Sequence, residues 1–183
     1  MNVRERVIDL MYRTATGTKK KRTLLTPVGV TVFGLFTALF VFLALLLDAV
    51  LALRWPIPDT VSLLVSIPMI AIGIAMTAWS VFHFLRVNGT PVPFNPPPTL
   101  VESGPYKYAR NPMLTGVFLL LFGIGFAIGS PSLVLIFTPL YVLANVWELK
   151  KIEEPELIRR LGERYLSYRN RTPMFIPGPR LRR

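Results

Sequence analysis

The sequence predicts an all-α integral membrane protein, with four transmembrane helices, cytoplasmic amphipathic helices and a Pro-rich cytoplasmic loop. Three observations carry that expectation. The 183 residues are 52% hydrophobic and only 17% charged, whereas soluble domains carry about a quarter charged residues. Apolar runs recur at lengths near the ~20 residues that cross a bilayer. The 21 Lys and Arg behind the net charge of +11 lie almost entirely outside those runs, at both chain ends and in one internal segment. That distribution follows the positive-inside pattern and not the continuous basic stripe of a nucleic-acid groove. No nucleic-acid partner is therefore expected, and membrane lipids are.

The whole chain, 1–183, is expected to form a single membrane domain. Residues 1–26 read as a basic amphipathic N-terminus. Val3, Val7, Leu10 and Met11 recur at helical spacing with Arg4, Arg6 and Arg13 between them, as in an interfacial helix held near anionic headgroups. Lys19–Arg22 reads as a juxtamembrane anchor. Spans are expected at 28–53, 61–85, 113–128 and 133–150, the last two joined by a tight Gly129-Ser130-Pro131 turn. Pro68 inside the second span is tolerable in a membrane helix. Asp48 is expected to reach water at the outer face, and Trp55, Trp79 and Trp147 to sit in interfacial belts. Gly123, Gly125 and Gly129 read as close-packing positions. Both termini and the loop 86–112 are expected in the cytoplasm.

Chemistry is expected in the two cytoplasmic segments, 86–112 and 151–183. Five prolines between Pro91 and Pro98 stiffen the first into an extended strap, since each fixes φ and lacks an N–H. Asn111-Pro112 then opens a helix whose free N–H groups face the cytoplasm. In the second segment Glu148, Lys150, Lys151, Glu153, Glu154 and Glu156 crowd a membrane boundary. They read either as a solvated helix exit with Glu–Lys pairs or as a ligand site. Leu157, Leu161, Tyr165 and Tyr168 then give one apolar face to a single interfacial helix. The lone His83 reads as an interfacial polar residue. The chain has no cysteine, which rules out disulfides and a thiolate nucleophile, and no metal site is expected.

Leu100-Val101-Glu102-Ser103-Gly104-Pro105-Tyr106, followed by Arg110-Asn111-Pro112, resembles one signature of the isoprenylcysteine carboxyl methyltransferase and phospholipid methyltransferase superfamily. Glu153-Glu154, Leu161-Gly162-Glu163-Arg164-Tyr165, Tyr168, Thr172-Pro173 and Ile176-Pro177 resemble its C-terminal signature. Asn111 stands where the family has His, and Leu114 where it has Tyr.

The resemblance implies a membrane methyltransferase that uses S-adenosylmethionine and releases S-adenosylhomocysteine. It implies a cofactor site at Leu100, Val101, Gly104, Tyr106, Arg110, Asn111, Pro112, Glu153 and Glu154, with catalytic roles for Arg110, Glu153 and Glu154. Arg110, Met113, Leu114, Tyr165 and Tyr168 are the expected contacts to a lipid-like methyl acceptor. Carboxyl O-methylation of an isoprenylcysteine-type acceptor is the first expectation, and phospholipid amine N-methylation the alternative. A non-catalytic membrane scaffold or small transporter is the contrasting class. A transporter is disfavoured because the spans show neither inverted repeats nor deep charges.

Overall fold

The computed structural model describes residues 2–87, 89–90, 92, 95–97 and 99–175, and the described residues form helices and connecting segments without a strand. Helix α1 (Val3–Ala15) opens with a capping box, in which Asn2 and Glu5 each accept from the other's backbone N–H. Helix α2 (Lys19–Val50) and helix α3 (Asp59–Arg86) are the first two long apolar helices. Helix α4 (Pro112–Ala127) is apolar but shorter. Helix α5 (Thr138–Glu148) and helix α6 (Glu154–Leu161) are joined by a π-helical turn at Leu149–Glu153, and a second π turn at Leu133–Phe137 precedes them. The result is one continuous helix, Leu133–Leu161. Helix α7 (Glu163–Arg171) follows.

Three of these helices, Lys19–Val50, Asp59–Arg86 and Leu133–Leu161, are long and apolar enough to cross a membrane. The protein is a multi-pass membrane protein. The boundaries differ from the sequence expectation in two places. The basic run Lys19–Arg22 is helical and forms the first turn of α2, because Pro27 lies within the helix without ending it. The fourth apolar run continues past residue 150 to Leu161, since the π turn absorbs the charged residues without breaking the helix.

Helices α3 and α4 pack most closely, because small residues let their backbones approach. A Cβ added at Gly73 would stand 2.8 Å from the Gly116 carbonyl oxygen, and one at Gly116 only 2.4 Å from Thr77 Oγ1. Gly123 meets Ile70 in the same interface, and Gly125 meets Val134 across the α4–α5 turn. The core gathers Val117, Phe118 and Leu121 of α4 around Tyr141 of α5, with Phe33 and Phe40 of α2 and the C-terminal Phe175 against them. Tyr141 is fully buried and its hydroxyl meets Thr37 Oγ1 at 2.8 Å.

At the far end, Asp48 does not point to water as expected. It accepts from the Ser130 hydroxyl and, at 3.0 Å, from the Ser132 N–H. Ser130 Oγ in turn accepts from the Leu133 N–H at 3.1 Å. The last turn of α2 thus caps the helix that starts after Gly129, whose φ of +62° makes the reversal. Trp55 is likewise drawn inward, donating to Ser62 Oγ at 2.7 Å and stacking edge-on against Phe126.

Candidate functional site

The site lies at the opposite end, where the strap, the start of α4, helices α6 and α7 and the chain after them converge. The strap is held on both sides. Thr90 N–H and Oγ1 both donate to the Asn95 carbonyl oxygen, Asn95 donates to Thr26 Oγ1 at 3.0 Å, and Arg22 of α2 donates to the Pro96 carbonyl. Pro91 and Pro98, at the ends of the Pro-rich stretch, lie outside the described residues.

Beyond the strap the chain makes a tight turn at Ser103-Gly104. Gly104 has φ +58°, and a Cβ there would lie 2.6 Å from the His83 ring. His83 Nε2 meets Ser103 Oγ at 3.0 Å. His83 is therefore not simply an interfacial residue: it seats the turn that carries Tyr106. The 3₁₀ turn Gly104–Lys107 buries Tyr106 against Phe84. Burial pushes the Tyr106 phenol well above its ordinary value, against a smaller opposing hydrogen bond from Ser80.

Arg110 and Asn111 are fixed by the chain that follows α7. Their N–H groups donate to the carbonyls of Pro173 and Met174 at 2.9 and 3.0 Å. Arg110 so positioned forms an ion pair with Glu154, both side chains only 11–12% exposed. The same guanidinium reaches the Tyr165 hydroxyl at 3.4 Å, and Arg169 approaches Glu154 from the other side at 3.7 Å. Tyr168 donates to the Tyr106 carbonyl oxygen at 2.6 Å, closing the ring of residues. Tyr165 is pushed up to about 12, chiefly by burial and then by the charge of Glu154, and Tyr168 is also raised by burial.

The single interfacial helix expected over Leu157–Tyr168 is two helices. Gly162, φ +58°, breaks them, and the break turns Tyr165 and Tyr168 inward onto the site, where both are buried. The expected Glu–Lys pairs are also absent among the described residues. Glu154 and Glu156 pair instead with arginines, Glu156 with Arg160 at 2.8 Å.

Of the residues singled out in the sequence, Arg110, Glu154, Tyr165, Tyr106 and Tyr168 are thus in one contact network. Asn111 and Pro112 sit at its edge as the start of α4, and Val101 is buried beside the turn. Glu153 is the last residue of the π turn and makes no ion pair among the described residues. Leu114 packs into the core against Val117, Phe118, Leu121 and Tyr141. Ile176 and Pro177 of the C-terminal signature lie outside the described residues.

Two contributors were missed from sequence. One is His83. The other is Glu102, which is bound by Arg164 at 3.4 Å and by Arg171, two residues seven apart and so on one face of α7. That spacing was the available signal.

The network retains unmatched polar groups. Arg110 Nε is buried without a partner, and the Tyr106 hydroxyl, also without a close partner, lies beside the Ser80 hydroxyl, which donates to the Met76 carbonyl at 2.7 Å and keeps its oxygen free to accept. Buried donors left unmatched are costly. Together with the unpaired Glu153 they suit a ligand that brings its own acceptors and its own cation.

These features define a helical multi-pass membrane protein with a buried polar network at one end of its bundle. Residues 61–164 match the Phospholipid methyltransferase family, and the chain belongs to it. It is also similar to a methanethiol S-methyltransferase of Crocosphaera subtropica (strain ATCC 51142 / BH68), 28% identical over 95 residues. That match covers 52% of this chain and 33% of the relative, so the chain spans about a third of the relative's length.

Proposed function

We propose that this protein is an S-adenosylmethionine-dependent methyltransferase for a membrane-borne amphiphile, with the Arg110–Glu154–Tyr165 network as its cofactor-side machinery. The observation that carries the reading is the buried, unpartnered donor at Arg110 Nε, set in a network with the buried Tyr106 hydroxyl and near the Glu153 carboxyl, which makes no ion pair among the described residues.

The residues fit the cofactor. Arg110 would hold its carboxylate, Glu153 its ammonium or ribose hydroxyls, and the Val101–Gly104 backbone with Tyr106 its flat and apolar parts. When bound, it supplies a methyl group on a cationic sulfonium. The chain's own work is placement: Tyr165 and Tyr168 wall the site, Glu154 fixes the guanidinium fork, and Asn111-Pro112 sets the start of α4. Alignment of this kind is worth up to ~7–11 kcal/mol, and no covalent intermediate is needed. Asn111 cannot take a proton near neutral pH, so its role is to orient.

Carboxyl O-methylation of an isoprenylcysteine-type acceptor is the first reading, because a carboxylate needs no base. Phospholipid amine N-methylation is the second, favoured by the unpaired Glu153, which would receive the proton an amine must lose. The short α4 is the fourth crossing in this reading, and both termini and the site face the cytoplasm, as the Lys and Arg distribution suggests.

Binding of S-adenosylhomocysteine to the purified protein tests the cofactor reading. Arg110→Lys should bind nearly as poorly as Arg110→Ala, since a point charge does not reproduce the fork; wild-type binding by Arg110→Lys would refute the role given to Arg110. Incubation with methyl-labelled cofactor and separate carboxylate and amine amphiphiles then identifies the acceptor.

A further inference from the structure

Helix α1 is docked by one side only. Met11 and Ala15 are buried against the body of the protein. Asp9 is gripped by Arg159 of α6 at 3.1 Å and by Arg13 at 2.7 Å. The Arg159 guanidinium lies 4.1 Å from the centre of the Tyr12 ring. The adjoining flank is left bare: Val3 is 78% and Leu10 59% exposed, with Val7 half-buried where this flank meets the docked face. Arg6 and Arg13 border that flank, and Arg6 makes no ion pair among the described residues. After a three-residue link, Thr16–Thr18, α2 begins with Lys19, Lys20 and Lys21 and becomes the first long apolar helix. The flank is therefore tethered by a short link to the first membrane-crossing helix. An apolar stripe with arginines along its flank, tethered to a membrane helix, is complementary to an anionic bilayer surface.

We propose that α1 is a docking surface for the anionic leaflet on the site's side of the membrane, and that its grip on Arg159 makes the placement of α6 depend on that docking. The link is short. Arg159 and Glu154 stand on the same two-turn helix, and Glu154 is the carboxylate that holds Arg110. With α1 seated, Asp9 and Tyr12 hold α6 from one side while Arg110 holds it from the other. With α1 lifted, α6 loses one of those two restraints. The docking half stands on the exposed stripe alone, whereas the coupling half rests on the function proposed above.

The chain has no cysteine, so a spin label at Leu10→Cys reports on α1 alone. The protein is placed in nanodiscs of phosphatidylcholine, with and without phosphatidylglycerol. Docking predicts that the label moves into the acyl boundary only with the anionic lipid, and that Arg6→Gln reduces this by about fivefold, the effect of one basic residue near the surface. The same label depth in both lipids, or no effect of Arg6→Gln, overturns the docking.

Coupling predicts that S-adenosylhomocysteine binds at least threefold tighter in the anionic discs, and that Asp9→Asn abolishes the lipid dependence while leaving affinity in neutral discs unchanged. Docking with lipid-independent affinity overturns the coupling. Absence of binding in every lipid, with docking intact, overturns the cofactor reading and leaves the surface standing.

Discussion

The Arg110–Glu154 pair provides the sharpest quantitative test, because both partners are nearly buried and neither has a full substitute. Removing one partner of a buried ion pair costs about 3–5 kcal/mol, because the other is left as an uncompensated charge. The two losses should differ here. In Arg110→Met, Glu154 retains Arg169, at 3.7 Å and on a side chain 35% exposed, so the cost should fall at the lower end. In Glu154→Leu, Arg110 retains, among the described residues, only the Tyr165 hydroxyl at 3.4 Å as a side-chain partner, with Nε already unmatched, so the cost should reach the upper end.

The double variant removes both charges and replaces them with apolar groups, a change that is often close to neutral. The double-mutant cycle should therefore return a coupling of about 6–8 kcal/mol, the two single losses less a double loss near zero, read by equilibrium unfolding in mixed detergent micelles. S-Adenosylhomocysteine binding should stay lost in the double variant although its stability recovers, which separates the structural from the ligand role. Losses that add to within about 0.5 kcal/mol would show that the two side chains do not act as a pair and would refute the reasoning.

Other expectations follow from single contacts. Gly116→Ala should lower stability by about 1–3 kcal/mol, since its Cβ meets Thr77 and the Gly73 carbonyl. Gly34→Ala, with nothing within 4 Å, should be neutral or stabilising by up to about 1 kcal/mol; equal melting temperatures for the two would contradict the α3–α4 packing. Asp48→Ala should cost about 1–2 kcal/mol through the lost cap, measured by thermal melting, with Asp48→Asn intermediate. Tyr165 is neutral in the fold up to about 12 but ionises at its ordinary value of 10.0 once unfolded. Its contribution is therefore full below pH 10 and lost as pH rises through about 12. Tyr165→Phe should flatten the alkaline fall in melting temperature over that window, and an unchanged slope would remove Tyr165 from the buried network.

Hydrophobicity and charge placement determined the class of this protein from sequence alone, because the bilayer acts on composition directly: apolar runs of crossing length must be helices, and basic residues stay out of them. The ends of α3, the Gly129 turn and the start of α4 at Asn111-Pro112 were legible for a similar reason, since Pro and Gly act through their own backbone geometry. Arg110, Glu154 and the tyrosines were legible as candidates through motif resemblance.

Their partnerships were not. Pairing Arg110 with Glu154, Tyr168 with the Tyr106 carbonyl and Asp48 with Ser130 joins residues 44, 62 and 82 apart, and no periodicity within a helix encodes such distances. The break at Gly162 was readable only as a flexible position. Whether it ended a helix depended on where burying Tyr165 and Tyr168 gained more than continuing the helical ladder. The fate of His83 was decided in the same way. A lone histidine at a helix end has no sequence signal for its partner, and only the arrival of the Ser103-Gly104 turn, packed too closely for any side chain larger than hydrogen, gave it one.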